Sequence, residues 1–322
     1  MSLAPRQIGL NTGFHAPLGM GCSFYGLSDW YGPEAQVLLD AMTVALEQGI
    51  THFDTAEGYG GGESEKLIGR FMAEDKTRRD KMFLASKANV NEMSQQAMLD
   101  AIDHSLKRLQ TDVIDLYYIH WPRTGKDLRP LMEGLEIARA RGKIRAVGVS
   151  NFSVEQMRQV AEVGTIDAHQ LGYNLLWRFP ERDVLPYCAE NGIAVVVYSA
   201  LAHGILSGKY ARELAFNPGD QRWRILLFRE DVWPQVYAAV EQFKDVAHRA
   251  DCSLTHLALR WLLAQSSVTA VLVSAKNPAQ AQANAQMLTV DIPSGALAEL
   301  EQLSLTAARH IPDEGNPFGY HP

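Results

Sequence analysis

The sequence predicts an α/β fold, a (β/α)8 TIM barrel, and three observations carry that expectation. Short runs rich in valine, isoleucine and aromatic residues recur along the 322 residues, apolar on both faces as strands of a covered parallel sheet must be. A longer stretch of helical periodicity precedes each of them from His52 onward. About eight such units fill the chain, and that number favours a closed barrel over an open doubly wound sheet. No Pro-, Gly- or Ser-rich linker divides the chain, so one domain is expected over residues 1–322, with a barrel core from about 18 to 305 and a tail over 306–322.

Taken in order, the first strand is "LGMGCSFYG" from Leu18. The helix after it, "PEAQVLLDAMTVALEQGI", has Pro33 and Glu34 in its first turn and Gly49 as its stop. The second strand is "HFDTA" from His52 and the third "MFLASKA" from Met82. In "SQQAMLDAIDHSLKRLQ", Ala97, Ile102, Leu106 and Leu109 form one helix face, and "VIDLYYIHW" from Val113 follows as the fourth strand. The fifth is "IRAVGVSN" from Ile144, and the sixth, "DAHQLGYN" from Asp167, follows a helix capped by Ser153 and stopped by Gly164. "IAVVVYSAL" from Ile193 and "AVLVSA" from Ala270 complete the set. Between those two, the stretch from Ser207 to Pro234 breaks the rhythm and reads as a long loop, of a kind usually functional or disordered.

Composition excludes several roles. A formal net charge of -7, with lysines and arginines scattered among acids, leaves no basic footprint for nucleic acid or an anionic membrane. The three cysteines, Cys22, Cys188 and Cys252, stand far apart with no CxxC spacing, so neither a disulfide framework nor a metal site is expected. No basic segment followed by an apolar core opens the chain, and no apolar run approaches the length of a membrane span. A soluble cytoplasmic protein is expected, in which the sequon Asn151-Phe152-Ser153 is a coincidence. Assembly into a homo-oligomer leaves no mark that can be read.

In a barrel of this kind, chemistry sits at the C-terminal ends of the strands. The second strand delivers Asp54 and then Tyr59, the third Lys87, the fourth His120, the fifth Ser150 and Asn151, the sixth Gln170, and the seventh Tyr198 and Ser199. A lysine beside a phenol favours phenolate and is expected to lower the tyrosine pKa, while a carboxylate keeps that lysine charged. A histidine within reach of the same point hydrogen-bonds a substrate oxygen. Such a set polarises a carbonyl whose carbon then receives a nucleophile or hydride. A lone Asp-Lys pair is more often structural; four complementary groups at three successive strand ends shift the balance towards chemistry.

With those residues in view, the sequence from about Leu18 to about Leu305 resembles the aldo-keto reductases, a family of NADPH-dependent barrel enzymes. "FDTAEGYGGGESEKLIG" is similar to the family's segment with the catalytic Asp and Tyr, "LASK" to its lysine and "YYIHWP" to its histidine. "GVSNF", "QLGYNLL" and "YSALAHGILSGKY" resemble its nicotinamide and phosphate elements. The resemblance implies Asp54, Tyr59, Lys87 and His120 as a catalytic tetrad, with Tyr59 the general acid in reduction. It also implies an extended NADP(H), with Ser150, Asn151 and Gln170 on the carboxamide and Tyr198 stacked on the ring. Ser199, Leu201, Gly204 and Leu206 then line the pyrophosphate, with Lys209 reaching toward it. In "SAKNPAQAQAN", Lys276 would meet the 2′-phosphate at a helix start, and Gln280 and Asn284 the adenine. Two positions depart from the family: Ser274 stands where glycine is common, and Ala283 where an acidic residue often accompanies Asn284. Arg222 and Arg224 either supplement Lys276 or belong to a solvated loop.

The glycines from Gly58 to Gly62 suggest a phosphate cradle at first sight, but they contain no G-x-G-x-x-G. Their expected work is to turn the chain after the second strand and set Tyr59 over the barrel mouth. "GILSGKY" is one residue short of a P-loop and has Tyr210 where a magnesium-binding Ser or Thr should stand. Tyr25, Trp30, Tyr31, Trp121, Trp177 and Arg178 are expected in the loops that wall the mouth, and aromatic walls suit a small carbonyl compound such as a sugar or sugar-derived aldehyde.

Three functions fit these residues. The first is an NADPH-dependent reductase of aldehydes or ketones. The second is a weakly catalytic NADPH-binding redox sensor like the β subunits of potassium channels, which carry asparagine where this chain has His120. The third is a Schiff-base lyase using Lys87, which requires that lysine to be neutral.

Overall fold

The structure, a computed structural model, describes residues 4–10, 12–13, 15–25, 34–217 and 220–315. Parallel strands close into a barrel in chain order: β1 (Leu18–Gly21), β2 (His52–Asp54), β3 (Phe83–Ala88), β4 (Ile114–Ile119), β5 (Ile144–Ser150), β6 (Ala168–Gly172), β7 (Ala194–Tyr198) and β8 (Ala270–Val273). The ring is shut by β1 against β8, with Met20 opposite Val273. Around it run α1 (Ala35–Glu47), α2 (Glu63–Glu74), α3 (Thr77–Lys81), α4 (Gln95–Leu109), α5 (Arg129–Ala140), α6 (Val154–Ala161) and α7 (Val184–Glu190). They are followed by α8 (Trp233–Arg249), α9 (Leu254–Ala264), α10 (Pro278–Gln286) and α11 (Ser294–Ala308).

The expected barrel is the observed one, and each quoted run contains its strand. Local signals also act as the sequence suggests. Ser153 and Gln156 form a reciprocal capping box that opens α6, and Ser94 accepts from the Ala97 amide to open α4. Gly49 takes φ 86° just past α1, which begins at Ala35; Pro33 lies outside the described residues. The buried face of α4 is rotated from the expected one: Ile102 and Leu109 are buried with Met98 and Ser105, whereas Ala97 and Leu106 are half-buried at its edges.

Because side chains alternate across a strand, the barrel separates two apolar layers. One lies between strands and helices. The other fills the interior with Phe83, Ala85, Leu116, Tyr118, Ala146 and Val196, among others. Tyr118 is the largest of these, and Gly148 on the neighbouring strand makes room for it: a Cβ there would stand 2.3 Å from the Tyr118 ring. The bottom is plugged by the segment before β1, where Arg6 and His15 pair in antiparallel fashion and Ile8 is fully buried. His15, His52 and Phe83 pack there as a ring cluster, with centroids 4.5 to 5.0 Å apart.

The long connection after β7 is more ordered than expected. It contains two 3-10 turns, Gln221–Arg224 and Leu226–Phe228, and hands over to α8 at Trp233. Tyr210, Phe216, Phe228 and Trp233 form its own aromatic core, with neighbouring ring centroids 5.1 to 5.8 Å apart in the contacts Phe216–Phe228, Tyr210–Phe228 and Phe228–Trp233. No helix among the described residues is long and apolar enough to cross a membrane.

Candidate active site

Strand periodicity alone assembles the site. Asp54, Lys87, Ser150, Gln170 and Tyr198 share the inward parity of the interior residues Ala85, Tyr118, Ala146, Ala168 and Val196, and occupy the C-terminal layer above them. Among these polar groups, Lys87 is fully buried. Its Nζ lies 2.5 Å from Asp54 Oδ1, 2.8 Å from the Thr55 carbonyl and 3.5 Å from the Tyr59 hydroxyl. The other Asp54 oxygen accepts from Gln170 Nε2 at 2.8 Å. His120, one residue past β4, sets its ring edge-on to Tyr59 with centroids 5.7 Å apart, and stacks on the Trp121 ring at 5.9 Å. The four residues named from the sequence are therefore one cluster.

Tyr59 rides on the glycine turn that follows β2. Gly60, Gly61 and Gly62 all have positive φ, a conformation open to glycine at little cost, whereas Gly58 is ordinary right-handed backbone. This turn brings the phenol back over the barrel, as expected, and runs directly into α2 at Glu63.

Electrostatics correct one expectation. Tyr59 does not have a lowered pKa: burial raises it, Asp54 adds to the rise, and the pull of Lys87 is too small to reverse them. Burial also works against the charge of Lys87, but the Asp54 carboxylate and the Tyr59 phenol hold the ammonium above its ordinary value. His120 is pushed down to about 3 by burial and by Lys87, so it is a neutral imidazole at working pH. The site thus offers a protonated phenol, a charged lysine behind it and a neutral hydrogen-bonding histidine beside it, the set that polarises and protonates a carbonyl oxygen.

The expected cofactor residues follow one another along the C-terminal strand ends, from this cluster toward β8. Tyr198 donates to Asn151 Oδ1 at 2.7 Å, Asn151 donates to Ser150 Oγ at 3.0 Å, and Ser150 donates to the Gln170 carbonyl at 3.0 Å. Ser199, Leu201, Gly204 and Leu206 follow in and around the 3-10 turn Ala202–Ser207. Four non-glycine residues here adopt positive φ: Asn151, Ser199, Ala202 and His203. Backbone held in this region is strained, and such strain collects at ligand clamps.

Beyond β8, Ser274 is half-buried, and its carbonyl accepts from the buried Asn284 at 3.3 Å. Gln280 accepts from the Lys276 amide at 2.9 Å, while Asn277 caps α10. Two cations near these residues sit against aromatic rings and pair with no carboxylate among the described residues: Lys209 Nζ lies 5.2 Å from the Tyr210 ring centroid and Lys276 Nζ 4.6 Å from that of Phe24. A Cβ at Gly204 would stand 3.2 Å from Lys209 Nζ, so the glycine opens the space that this ammonium faces. Two cations that no described carboxylate neutralises, and a glycine gap beside one of them, suit a ligand that is anionic along its length.

The pattern of the aldo/keto reductase family matches residues 17–305 of this chain. The chain belongs to that family. The aldo-keto reductase YhdN of Bacillus subtilis is 37% identical over 286 residues, which cover 85% of each chain. A relative from Escherichia coli named NADH-specific methylglyoxal reductase is 30% identical, covering 82% of this chain and 86% of its own. Among solved structures, glycerol dehydrogenase AKR11B4 from Gluconobacter oxydans superposes with a TM-score of 0.86 at 30% identity, over 97% of this chain and 98% of its own. An aldo-keto reductase from Klebsiella pneumoniae, solved with NADPH, gives a TM-score of 0.75 at 25% identity over 98% of this chain and 99% of its own. This aldo-keto reductase is an oxidoreductase that reduces carbonyl compounds with NADP(H).

The expected mouth walls of the reductase need revision. Trp121 is half-buried beside His120, as a wall should be. Tyr25 is instead fully buried, its hydroxyl 3.5 Å from the Ala275 carbonyl. Trp177 is buried and donates its indole N–H to the Gly315 carbonyl at 2.7 Å, fastening the C-terminal tail. Arg178 is consumed by Glu181, Glu301 and Ser304, so it ties the loop after β6 to α11 and is no substrate contact. Arg222 is held by Asp220 and by the Tyr210 hydroxyl at 3.1 Å, inside the long connection; Arg224 is exposed. Trp30 and Tyr31 lie outside the described residues.

Sequence reasoning missed three residues of the reductase's site region. Phe24, 41% exposed after β1, is the seat of Lys276, and an exposed phenylalanine at a strand end was its only signal. Glu65 and Arg108 form a largely buried ion pair beneath the Tyr59 turn, which no local pattern announces.

Proposed function

We propose that this reductase acts on small, hydroxylated aldehydes or ketones, with Tyr59 as proton donor, Lys87 and Asp54 behind it and His120 orienting the carbonyl oxygen. The observation that carries the reading is the meeting of the buried Lys87 Nζ with both the buried Asp54, at 2.5 Å, and the hydroxyl of the half-buried Tyr59, at 3.5 Å. NADP(H), when bound, supplies the hydride. The protein's own share is to hold the carbonyl oxygen between the Tyr59 hydroxyl and the neutral His120 ring, and to pass the Tyr59 proton to that oxygen as charge develops there. Lys87 keeps its charge against Asp54 and stabilises the phenolate left behind. That same charge makes it unfit as a Schiff-base nucleophile.

Ser150, Asn151, Gln170 and Tyr198 are proposed to hold the nicotinamide end, and Lys209 and Lys276 the phosphates. The relatives named for methylglyoxal reduction and glycerol dehydrogenation support a short, oxygen-rich substrate, and the Trp121 face offers it a C–H stacking wall. We also propose that residues 1–322 form one domain that works in the cytoplasm. The deciding experiment follows NADPH absorbance against a panel of small aldehydes, ketoses and their deoxy analogues, with wild type and Tyr59→Phe side by side. Turnover of short hydroxy-carbonyls by wild type alone is expected. A Phe variant that retained most of the rate would remove Tyr59 from the donor role, and indifference to the substrate hydroxyls would remove the substrate class.

A further inference from the structure

The turn that carries Tyr59 poses a mechanical problem. Three successive glycines at positive φ follow the tyrosine, and glycine has the greatest backbone freedom of any residue. Left to itself, such a turn would let the phenol drift, whereas proton transfer needs it at one distance from Lys87.

Arg108, on the far helix α4, touches that turn on both sides. Its Nε lies 2.5 Å from Glu65 Oε2, just after the turn, and its NH2 lies 3.9 Å from Glu57 Oε2, just before it. Its stem presses on the turn itself: a Cβ at Gly62 would stand 2.8 Å from Arg108 Cδ. The two carboxylates then fasten the turn to the strand of Lys87. The second oxygen of fully buried Glu65 accepts from Ser86 Oγ at 2.5 Å, one residue before Lys87. Glu57 accepts from the Asn89 amide at 2.7 Å, and its own amide donates to the Lys87 carbonyl at 3.0 Å.

We infer that Arg108 is a positioning residue for Tyr59, bracing the glycine turn through Glu57 and Glu65 so that the phenol is held at its distance from Lys87. The inference rests on the reading of Tyr59 as proton donor. A buried ion pair is a poor source of net stability, because desolvation offsets most of its attraction, and its best-attested use is to specify one geometry. Here the geometry specified is that of the only part of the tetrad that does not stand at a strand end. Asp54, Lys87 and His120 are placed by the barrel; Tyr59 is placed by this brace.

The test uses the full-length protein as Arg108→Met and Arg108→Lys, with active sites counted by NADPH fluorescence titration. Bracing predicts that Arg108→Met binds NADPH within about twofold of wild type and keeps its carbonyl KM, yet loses about ten- to a hundredfold in kcat per NADPH site. It also predicts that the alkaline limb of kcat moves, since the Tyr59 to Lys87 distance changes, and that Arg108→Lys recovers part of the loss. An unchanged kcat per NADPH site, or a loss spread equally over NADPH affinity and KM, overturns the inference. Should the Met variant fail to fold, the charge-retaining Lys variant decides alone: a kcat-only deficit supports bracing, and wild-type kcat rejects it. Tyr59→Phe assayed in parallel separates the two questions, because activity in that variant removes the donor reading whatever Arg108 does.

Discussion

Lys87 Nζ stands 2.5 Å from Asp54 Oδ1, and neither side chain has more than 4% of its surface in contact with solvent. Each ion is stranded if the other is removed, because a buried charge without its partner costs about 3 kcal/mol or more. Asp54→Asn and Lys87→Met should therefore each lower stability in urea unfolding. The double variant should be more stable than at least the worse single, with a coupling of about 1 kcal/mol or more. Additive losses would mean that the two groups do not depend on each other.

The raised pKa of Tyr59 fixes the pH profile of carbonyl reduction. The phenol must carry its proton to donate it, and burial holds that proton above the ordinary phenol value of about 10. Since His120 is pushed down to about 3, it contributes no inflection between acid and neutral pH. The kcat for reduction should stay flat from about pH 6 to about pH 9 and fall only beyond, given those positions. A limb near neutrality that disappears in His120→Gln would show that the imidazole titrates during turnover.

The buried histidines His52 and His169 should make stability fall in acid. His169 is pushed down to about 3 and His52 well below its ordinary value, in both cases mainly by burial. The unfolded chain takes up these protons below about pH 6.5, while the folded protein refuses them. Their contribution is complete above that pH and shrinks as pH falls toward the folded values, by about 1.4 kcal/mol per unit for each group. His52 Nδ1 and Nε2 both lack hydrogen-bond partners in a cluster with His15 and Phe83. His52→Leu should accordingly flatten the loss of melting temperature between about pH 6.5 and pH 4.5. An unchanged slope would place the acid sensitivity elsewhere.

Cofactor selection should depend on Lys276. Its ammonium is seated over Phe24, and among the described residues no carboxylate pairs with it. Lys276→Ala should weaken NADPH by about tenfold or more and NADH by less than about twofold, as expected for one lost charge-assisted contact. Equal weakening of both, measured by fluorescence titration, would assign the 2′-phosphate to another residue.

An indole helps to hold residues 311–315 of the C-terminal tail. Trp177 Nε1 donates to the Gly315 carbonyl at 2.7 Å, and Arg229 reaches Glu314 at 2.6 Å. Trp177→Phe keeps the ring and removes the bond. Hydrogen exchange over residues 311–315 should accelerate about fivefold or more, the equivalent of about 1 kcal/mol. Unaltered protection there would show that the tail is held by its other contacts.

How much of this was legible in the sequence follows from distance along the chain. Most strands announce themselves because their own residues are apolar, and the C-terminal layer of Asp54, Lys87, Ser150, Gln170 and Tyr198 follows once strand ends are known. Arg178 was misplaced because its partner Ser304 is 126 positions away, and nothing near "WRFPE" reveals that α11 returns to cover it. Arg108 and Glu65 are 43 positions apart, each unremarkable on its own helix. The sign of the Tyr59 shift was misjudged for a different reason. The neighbouring lysine is written in the sequence, but the depth of burial that outweighs it is a property of the closed barrel.

The ring of strands has one thin seam. Between β7 and β8 the register pairs Val196 with Ala270 and Val197 with Val271, and the Thr269 amide donates to the Val195 carbonyl just before them. A closed ring offers no free strand edge to another molecule, so the folded protein is protected from edge-to-edge aggregation as long as that seam stays shut. When heat or acid parts it, the edges bared are "AVVVY" and "AVLV", uncharged and rich in β-branched residues. Clumping on the way to denaturation should begin there, and a charge placed on an outward-facing position beside the seam would be the first remedy for a preparation that clouds on warming.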